Sequence, residues 1–426
     1  MDTDSNAAIR VDDLPATGRP MRIAVVTETY PPEVNGVSIT TARLVEGLLA
    51  RGHRIQLIRP RQRDTDPPDP PQRLHEVLLR GLPIPRYPHL RMGMPAGREL
   101  FDRWSVQRPD LVHLVTEGPL GWSALRAAGR LRLPVCSDFR TNFHAYSRHY
   151  GVGWLHRPIV AYLRRFHNRT LCTMVPTEHL ARELAGHGFR RLKVVARGVD
   201  TQRFDPAHRS DALRAAWGCG AATRVVLHVG RLAPEKNLGM LAHAYEAMRA
   251  AHPDLRLLLV GDGPSARELR ARCPDAIFAG MRHGDDLAAH YASADAFVFP
   301  SLTETYGNVV PEAMASGLPV LAYDCAAASR LIVHGHNGLL APTGDAGAFG
   351  RLALRLAGEP ADGRALGARA RATAETLDWD RIVAQVEATF EAAVVAHGAA
   401  GGDRATRRPD GRANPSEPEG ARASNP

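Results

Sequence analysis

Residues 299–320, F-P-S-L-T-E-T-Y-G-N-V-V-P-E-A-M-A-S-G-L-P-V, decide how this chain folds. The apolar run Ala296 to Phe299 stops at Pro300 and Ser301, and a second apolar run begins at Pro319. Helix-compatible sequence therefore lies between two short buried strands. Strand, loop, helix and strand in that order predict an α/β layer. Glu304 sits in the loop, and Glu312 in the first turns of the helix. Gly307 and Asn308 relax the backbone there, and Pro311 suits a first helical turn, where its missing N–H has no intrahelical partner to lose. Free amides at such a helix start are a seat for a phosphate.

Phosphate repels two flanking carboxylates unless they point at hydroxyls, and a sugar nucleotide supplies phosphates and hydroxyls together. Each glutamate also fits an ordinary role, Glu304 as a solvated loop residue and Glu312 as compensation for the helix dipole. The glutamate pair followed by A-M-A-S-G-L-P-V resembles the nucleotide-sugar signature of the retaining glycosyltransferases of family 4. That resemblance implies an α/β GT-B fold: two Rossmann-like, doubly wound domains facing a cleft, with a C-terminal helix crossing back to the first. It further implies that Glu304 holds the transferred sugar, Glu312 the ribose hydroxyls, and Tyr306, Gly307, Asn308 and Val309 the rest of the donor.

Upstream, Arg231 and Lys236 stand between the strand Arg224 to Gly230 and a helix that begins at Leu238, where two cations and a helix dipole can grip a diphosphate. Exposed basic residues often serve only solvation. Yet the chain has 54 Lys and Arg, of which only Lys193 and Lys236 are lysines, so a compact ammonium at 236 is a marked choice. The string V-G-R-L-A-P-E-K-N resembles the family's diphosphate clamp. By the same resemblance Gly261, Gly263 and Gly280 occupy turn positions, and Arg282 lies near the nucleotide base. After Tyr323 the sequence reads D-C-A-A-A-S-R-L-I where the family commonly has a glycine pair, so donor preference does not carry over from other branches.

The first half opens with a strand, Arg22 to Glu28, and a helical pattern over Ser38 to Arg51. Between them T-Y-P-P-E-V-N-G-V lacks a G-x-G-x-x-G, which removes the main support for a dinucleotide cofactor. Gly36 resembles the family's donor-side loop glycine and also fits a plain turn. The stretch Arg59 to Gly97 is rich in Pro and Arg and predicts a long surface loop. The D-T-D strings at Asp2 to Asp4 and Asp64 to Asp66 read as solvated charge, with no metal implied. The strand Pro134 to Ser137 ends in D-F-R-T-N-F-H-A-Y. Here Arg140 stands where the family usually has a histidine. Arginine cannot act as a base near neutral pH, so Arg140 orients or supplies charge, while His144 is a candidate substitute or a structural partner. From Gly153 to Leu171 aromatic, apolar and basic residues alternate, which suits docking either on the domain core or on an anionic membrane face.

At 426 residues the chain is long enough for two cores. The expected organisation is a disordered tail 1–20, an acceptor domain 21–200, a linker 201–222, a nucleotide-sugar domain 223–377, a crossover helix 378–396 and a disordered tail 397–426. Apolar residues make up 44% and charged residues 23%, as in a soluble globular protein. The N-terminal segment lacks a signal-peptide pattern and no apolar run approaches the roughly 18 residues of a membrane span, so the expected location is the cytoplasm or the inner face of a membrane. Five scattered cysteines predict neither a disulfide framework nor a zinc site. The net charge of +9 favours anionic partners without choosing among them. The strings E-G-P-L-G-W and T-N-F-H-A-Y most resemble the branch of bacterial α-mannosyltransferases and sulfoquinovosyl-diacylglycerol synthases. This implies a lipid or glycan acceptor, a donor such as GDP-mannose or a UDP-hexose, and no cofactor. A nucleotide-sugar epimerase on the same fold is the nearest alternative. A nucleic-acid-binding or scaffold protein is more distant, because the basic residues are dispersed rather than forming one aromatic-lined stripe, and no nucleic-acid partner is expected.

Overall fold

The computed structural model describes residues 19–33, 35–62, 73–84, 87–140 and 156–406. The first half contains strands β1 (Arg22–Val26), β2 (Arg54–Pro60), β3 (Leu74–Leu79), β4 (Gly81–Ile84), β5 (Tyr87–Gly93), β6 (Leu111–Leu114), β7 (Val135–Asp138), β8 (Cys172–Val175) and β9 (Leu192–Val194). Seven of them form one parallel sheet in the order β3-β2-β1-β6-β7-β8-β9. The second half contains β10 (Val225–Val229), β11 (Arg256–Val260), β12 (Ile277–Gly280), β13 (Ala296–Phe299), β14 (Val320–Tyr323) and β15 (Leu339–Ala341). These pair in parallel as β12-β11-β10-β13-β14-β15. Helices cover both faces of a parallel sheet, so its central strands are buried on both sides. All five residues of β10 and all four of β13 are buried.

In each sheet the order reverses next to the first strand, between β1 and β6 and between β10 and β13. A crevice opens at the carboxyl ends of the strands at such a switch point. Residues 230–237 and 299–308 leave β10 and β13 at that place.

Three sequence expectations need correction. The described part of Arg59 to Gly97 is not one long loop: it holds β3, which pairs along its length with β2, and the antiparallel hairpin β4-β5. Prolines in edge strands cost little because the outer N–H has no ladder partner, so Pro83 and Pro88 do not break the hairpin. The last helix runs Trp379–Thr406, well beyond residue 396, so residues 397–406 are helical and not part of a disordered tail. Both D-T-D strings lie outside the described residues.

The segment after residue 200 is also no free linker. Phe204 and Cys219 join the core of the second domain, and Arg371 bonds the carbonyls of Thr201, Phe204 and Ala315 at 2.6–3.0 Å. The helix Trp379–Thr406 returns to the first domain. Ile382, Val383, Val386, Phe390 and Ala393 share a core with Ile23, Val25, Leu44 and Leu48. Glu387 is buried there, 2.5 Å from Arg51 and 2.9 Å from His53. At the crossings the Val199 amide donates to the Leu377 carbonyl at 3.0 Å, and a Cβ on Gly198 would overlap the Trp379 ring.

Candidate active site

Lys236 ends a 3-10 turn, Pro234–Lys236, and Asn237 turns left-handed (φ 54°, ψ 44°) to start the helix Leu238–Ala251. The Asn237 amide group donates to the Pro300 carbonyl at 3.1 Å, and the Thr303 hydroxyl to the Glu235 carbonyl at 2.8 Å. These bonds tie the two motifs into one unit. Within it the Lys236 ammonium bonds Glu304 Oε1, which also accepts from the Ser301 hydroxyl at 2.8 Å. The ammonium lies 5.8 Å from the centre of the Phe299 ring. Arg231 pairs instead with buried Glu235.

The strand ends approach too closely for side chains. A Cβ on Gly261 (φ +135°) would overlap the Gly230 carbonyl, and one on Gly263 would overlap that of Leu232. Gly307 takes φ +84°, which turns the loop into the helix Val309–Ala315; at its start the Val310 amide donates to the Gly307 carbonyl at 3.1 Å and Pro311 has no N–H to offer. Glu312 lies one turn in and accepts a 3.0 Å bond from the hydroxyl of fully buried Tyr291. Burial pushes the Glu312 carboxyl up to about 7, with the Tyr291 bond pulling the other way. Arg282 folds onto the Ala279 carbonyl (2.9 Å) and Asp286 (3.2 Å). The Tyr306 side chain is buried and donates to the Arg197 carbonyl at 3.2 Å, so it braces the domain interface rather than lining an open surface.

Across the cleft, Asn35 caps the helix Gly36–Ala50 by accepting from the amides of Val37 (3.1 Å) and Ser38 (2.9 Å). Gly36 thereby faces the second domain, and a Cβ on it would stand 3.4 Å from Asn308 Nδ2. Arg140, just past β7, pairs with buried Asp138 through Nε at 2.7 Å, and its carbonyl accepts from the Thr305 hydroxyl at 3.3 Å. Burial alone would raise the Asp138 carboxyl, but Arg140 and His113, 3.6 Å away, outweigh it and hold the group below the usual carboxylate range. The structure thus brings together Gly36, Arg140, Lys236, Glu304, Thr305, Gly307 and Asn308. Arg231, Arg282 and Glu312 sit around them with partners of their own, and His144 lies outside the described residues.

Two residues were missed in the sequence. Arg197 lies 5.5 Å from the Tyr306 ring with Nη1 3.5 Å from Asn308 Oδ1, and burial together with neighbouring Arg140 brings it down to about 10. Glu28, two residues past β1, accepts from the Leu120 amide at 3.1 Å, and burial raises it to about 7. Both follow strands of the first sheet, and position at a strand end was the available signal. On the helix His156–His167, Leu163, Phe166 and His167 are buried against the domain core, while Arg157, Arg164 and Arg165 are exposed.

The profile of Glycosyltransferase Family 4 matches residues 34–203, and that of Glycosyl transferases group 1 matches residues 223–359. A GDP-mannose-dependent alpha-mannosyltransferase of Corynebacterium glutamicum is 37% identical over 76% of this chain and 77% of its own. The chain belongs to glycosyltransferase family 4. The sulfoquinovosyl transferase SQD2 of Arabidopsis thaliana is 28% identical over 89% of the chain and 75% of its own. The sucrose-phosphate synthase of Thermosynechococcus elongatus superposes with a TM-score of 0.68 at 21% identity, covering 88% of this chain and all of that one. This glycosyltransferase therefore has the GT-B fold and is a nucleotide-sugar-dependent hexosyltransferase. The epimerase alternative finds no support among these relatives.

Proposed function

We propose that the enzyme moves a hexose from a nucleoside-diphosphate sugar to a hydroxyl of a lipid or glycan, with retention of anomeric configuration. The observation that carries this reading is the Lys236–Glu304 contact at the β10/β13 switch point. The nucleotide lies on the second domain and the acceptor against the first. Glu304 holds hydroxyls of the sugar, and Glu312 those of the ribose. Lys236, in contact with Glu304, turns toward the diphosphate when sugar hydroxyls engage the carboxylate. Arg231, held by Glu235, supplies the second positive charge.

The acceptor oxygen attacks the anomeric carbon from the face that the leaving group vacates. The bond from that carbon to the phosphate oxygen breaks, its electron pair departs with the nucleoside diphosphate, and the acceptor proton passes to a phosphate oxygen. The charge that develops on the diphosphate is what Lys236 and Arg231 stabilise. Such a step routes no proton through a histidine at position 140. No helix of the described residues is long and apolar enough to cross a membrane. The exposed Arg157, Arg164 and Arg165 beside Tyr162 suit peripheral contact with anionic lipid at the inner membrane face, and bring a lipid acceptor to the cleft.

The GDP-mannose named for the Corynebacterium relative makes that nucleotide the first donor to test. Purified enzyme with labelled GDP-mannose or UDP-glucose and anionic lipid vesicles should transfer label to lipid, and chelator should leave the rate unchanged. Release of free nucleoside diphosphate without any glycosylated product, from every donor and acceptor tried, would overturn the reading.

A further inference from the structure

The loop that carries Glu304 is held from both domains. Within the second domain, Glu304 accepts from Ser301 and Lys236, and the Tyr306 carbonyl accepts from the Ala327 amide at 2.8 Å. The side-chain hydroxyls of the two residues after Glu304 reach the other way. Thr305 donates to the Arg140 carbonyl at 3.3 Å, and Tyr306 donates to the Arg197 carbonyl at 3.2 Å. Both acceptors stand just past strands of the first sheet, Arg140 after β7 and Arg197 after β9. Two consecutive hydroxyls thus grip two strand ends of the opposite domain, and the Tyr306 side chain is sealed between them.

The Arg140 guanidinium is engaged inside the first domain. Its side chain is only 9% exposed, and Nε, at 2.7 Å, and Nη2 both bond Asp138 Oδ2. His113 lies 3.6 Å from that oxygen, with its ring 5.1 Å from the ring of Phe390 on the returning helix. Arg140 and Arg197 also line a cavity of about 40 Å³ with Leu44, Val195, Ile382 and Val386, which has room for water and none for a sugar. With its side chain anchored inward, Arg140 meets the second domain through its main chain. We propose that the carbonyls of Arg140 and Arg197 form a cradle for the sugar-holding loop, so that Thr305 and Tyr306 are positioning residues for Glu304 and Asp138 is the pin that fixes the Arg140 end. The inference rests on Glu304 being the carboxylate that holds the transferred sugar. A displacement of about 1 Å at such a group slows a reaction by orders of magnitude, and it leaves a nucleotide held by the second domain in place.

The test uses the full chain with whichever of GDP-mannose and UDP-glucose it turns over, read as release of the nucleoside diphosphate, beside calorimetric binding of that diphosphate alone. Thr305→Val and Tyr306→Phe keep the shape of each side chain and remove its donor. Each should lower kcat about 3–10-fold, the worth of one hydrogen bond, and change the affinity for the diphosphate less than about twofold. Asp138→Asn should slow turnover by a similar factor. Added to Thr305→Val, it should cost less than about twofold more, because both act on one contact. Arg140→Lys keeps the carbonyl and a bond to Asp138, and should stay within about threefold of the native kcat. A native kcat in both Thr305→Val and Tyr306→Phe overturns the cradle. So does a fully multiplicative loss when Arg140→Gln is added to Thr305→Val, since the guanidinium then acts on the substrate by itself. Equal losses of turnover and of diphosphate affinity overturn it as well, because the hydroxyls then serve the nucleotide. Lys236→Ala judges the proposed function separately. Normal turnover in that variant removes the diphosphate clamp, while a slow Thr305→Val still supports the cradle.

Discussion

The two domains share one rhythm of strand and helix, yet they build their sides of the cleft differently. In the second domain the site residues come from two short consecutive stretches, 230–237 and 299–312, that leave adjacent strands and bond each other on the way. In the first domain Glu28, Asp138, Arg140 and Arg197 come from three separate strand ends and find partners far away in sequence, such as Leu120 and His113. A diphosphate is bound largely by tight turns and backbone amides, which requires contiguous sequence with glycines at fixed places. The first-domain side of the cleft is instead built from side chains, which the sheet can gather from anywhere along its edge.

That contrast can be broken first through the core. Phe390 is fully buried between the returning helix and the first sheet, so Phe390→Ala should cost about 3–5 kcal/mol. It should lower the melting of the first domain alone, and calorimetry should show a split transition with the nucleotide-stabilised step unmoved. A single transition shifted as a whole would show that the two halves do not unfold separately.

Next in size, Lys236→Ala should slow turnover by about 10²–10³-fold, as loss of a charge-stabilising donor at a reacting centre does, with the melting temperature nearly unchanged. Near-normal turnover would remove the clamp assignment and leave the second domain no better defined than the first.

A smaller effect concerns pH. Burial raises Glu312 from its ordinary 4.5 to about 7. A carboxyl raised on folding favours the protonated folded state, so its stabilising contribution is complete below about 4.5 and is lost as pH climbs through about 7. Under the proposed role of Glu312 in holding the ribose, donor affinity should rise across that upper limb in the native enzyme and stay flat in Glu312→Gln. Tyr291→Phe removes the bond that lowers the group, which should move the midpoint upward and cost about 0.5–1.5 kcal/mol. A native affinity independent of pH near 7 would take Glu312 out of donor binding. Smallest of all, Arg330→Ala breaks an exposed ion pair with Glu178 across the domains, 2.5 Å apart, and should change stability by less than about 1 kcal/mol. Domain closure measured by scattering should change no more than that.

Sequence legibility follows the same divide. The strand, loop, helix and strand around Glu304 could be read directly, because buried parallel strands are short apolar runs and the turn glycines have no substitute. Lys236 stood out by its rarity. The residues from 59 to 97 were misread because proline was taken as a breaker, whereas the edge position of β4 and β5 removes its penalty. The full reach of the last helix was obscured by the Gly- and Ala-rich sequence after His397, where apolar spacing fades although the backbone stays helical through Thr406. Arg197 was passed over because R-G-V-D marked a boundary, and nothing local indicates that a boundary residue stacks on Tyr306.

The returning helix also orders events during synthesis. Side chains from Ile382 to Ala393 complete the core built around Ile23 and Leu44, so the half made first by the ribosome stays unsealed until the last has emerged. The domain encoded second closes its own core before then, so one face of the first sheet stays open while residues 201–381 are made.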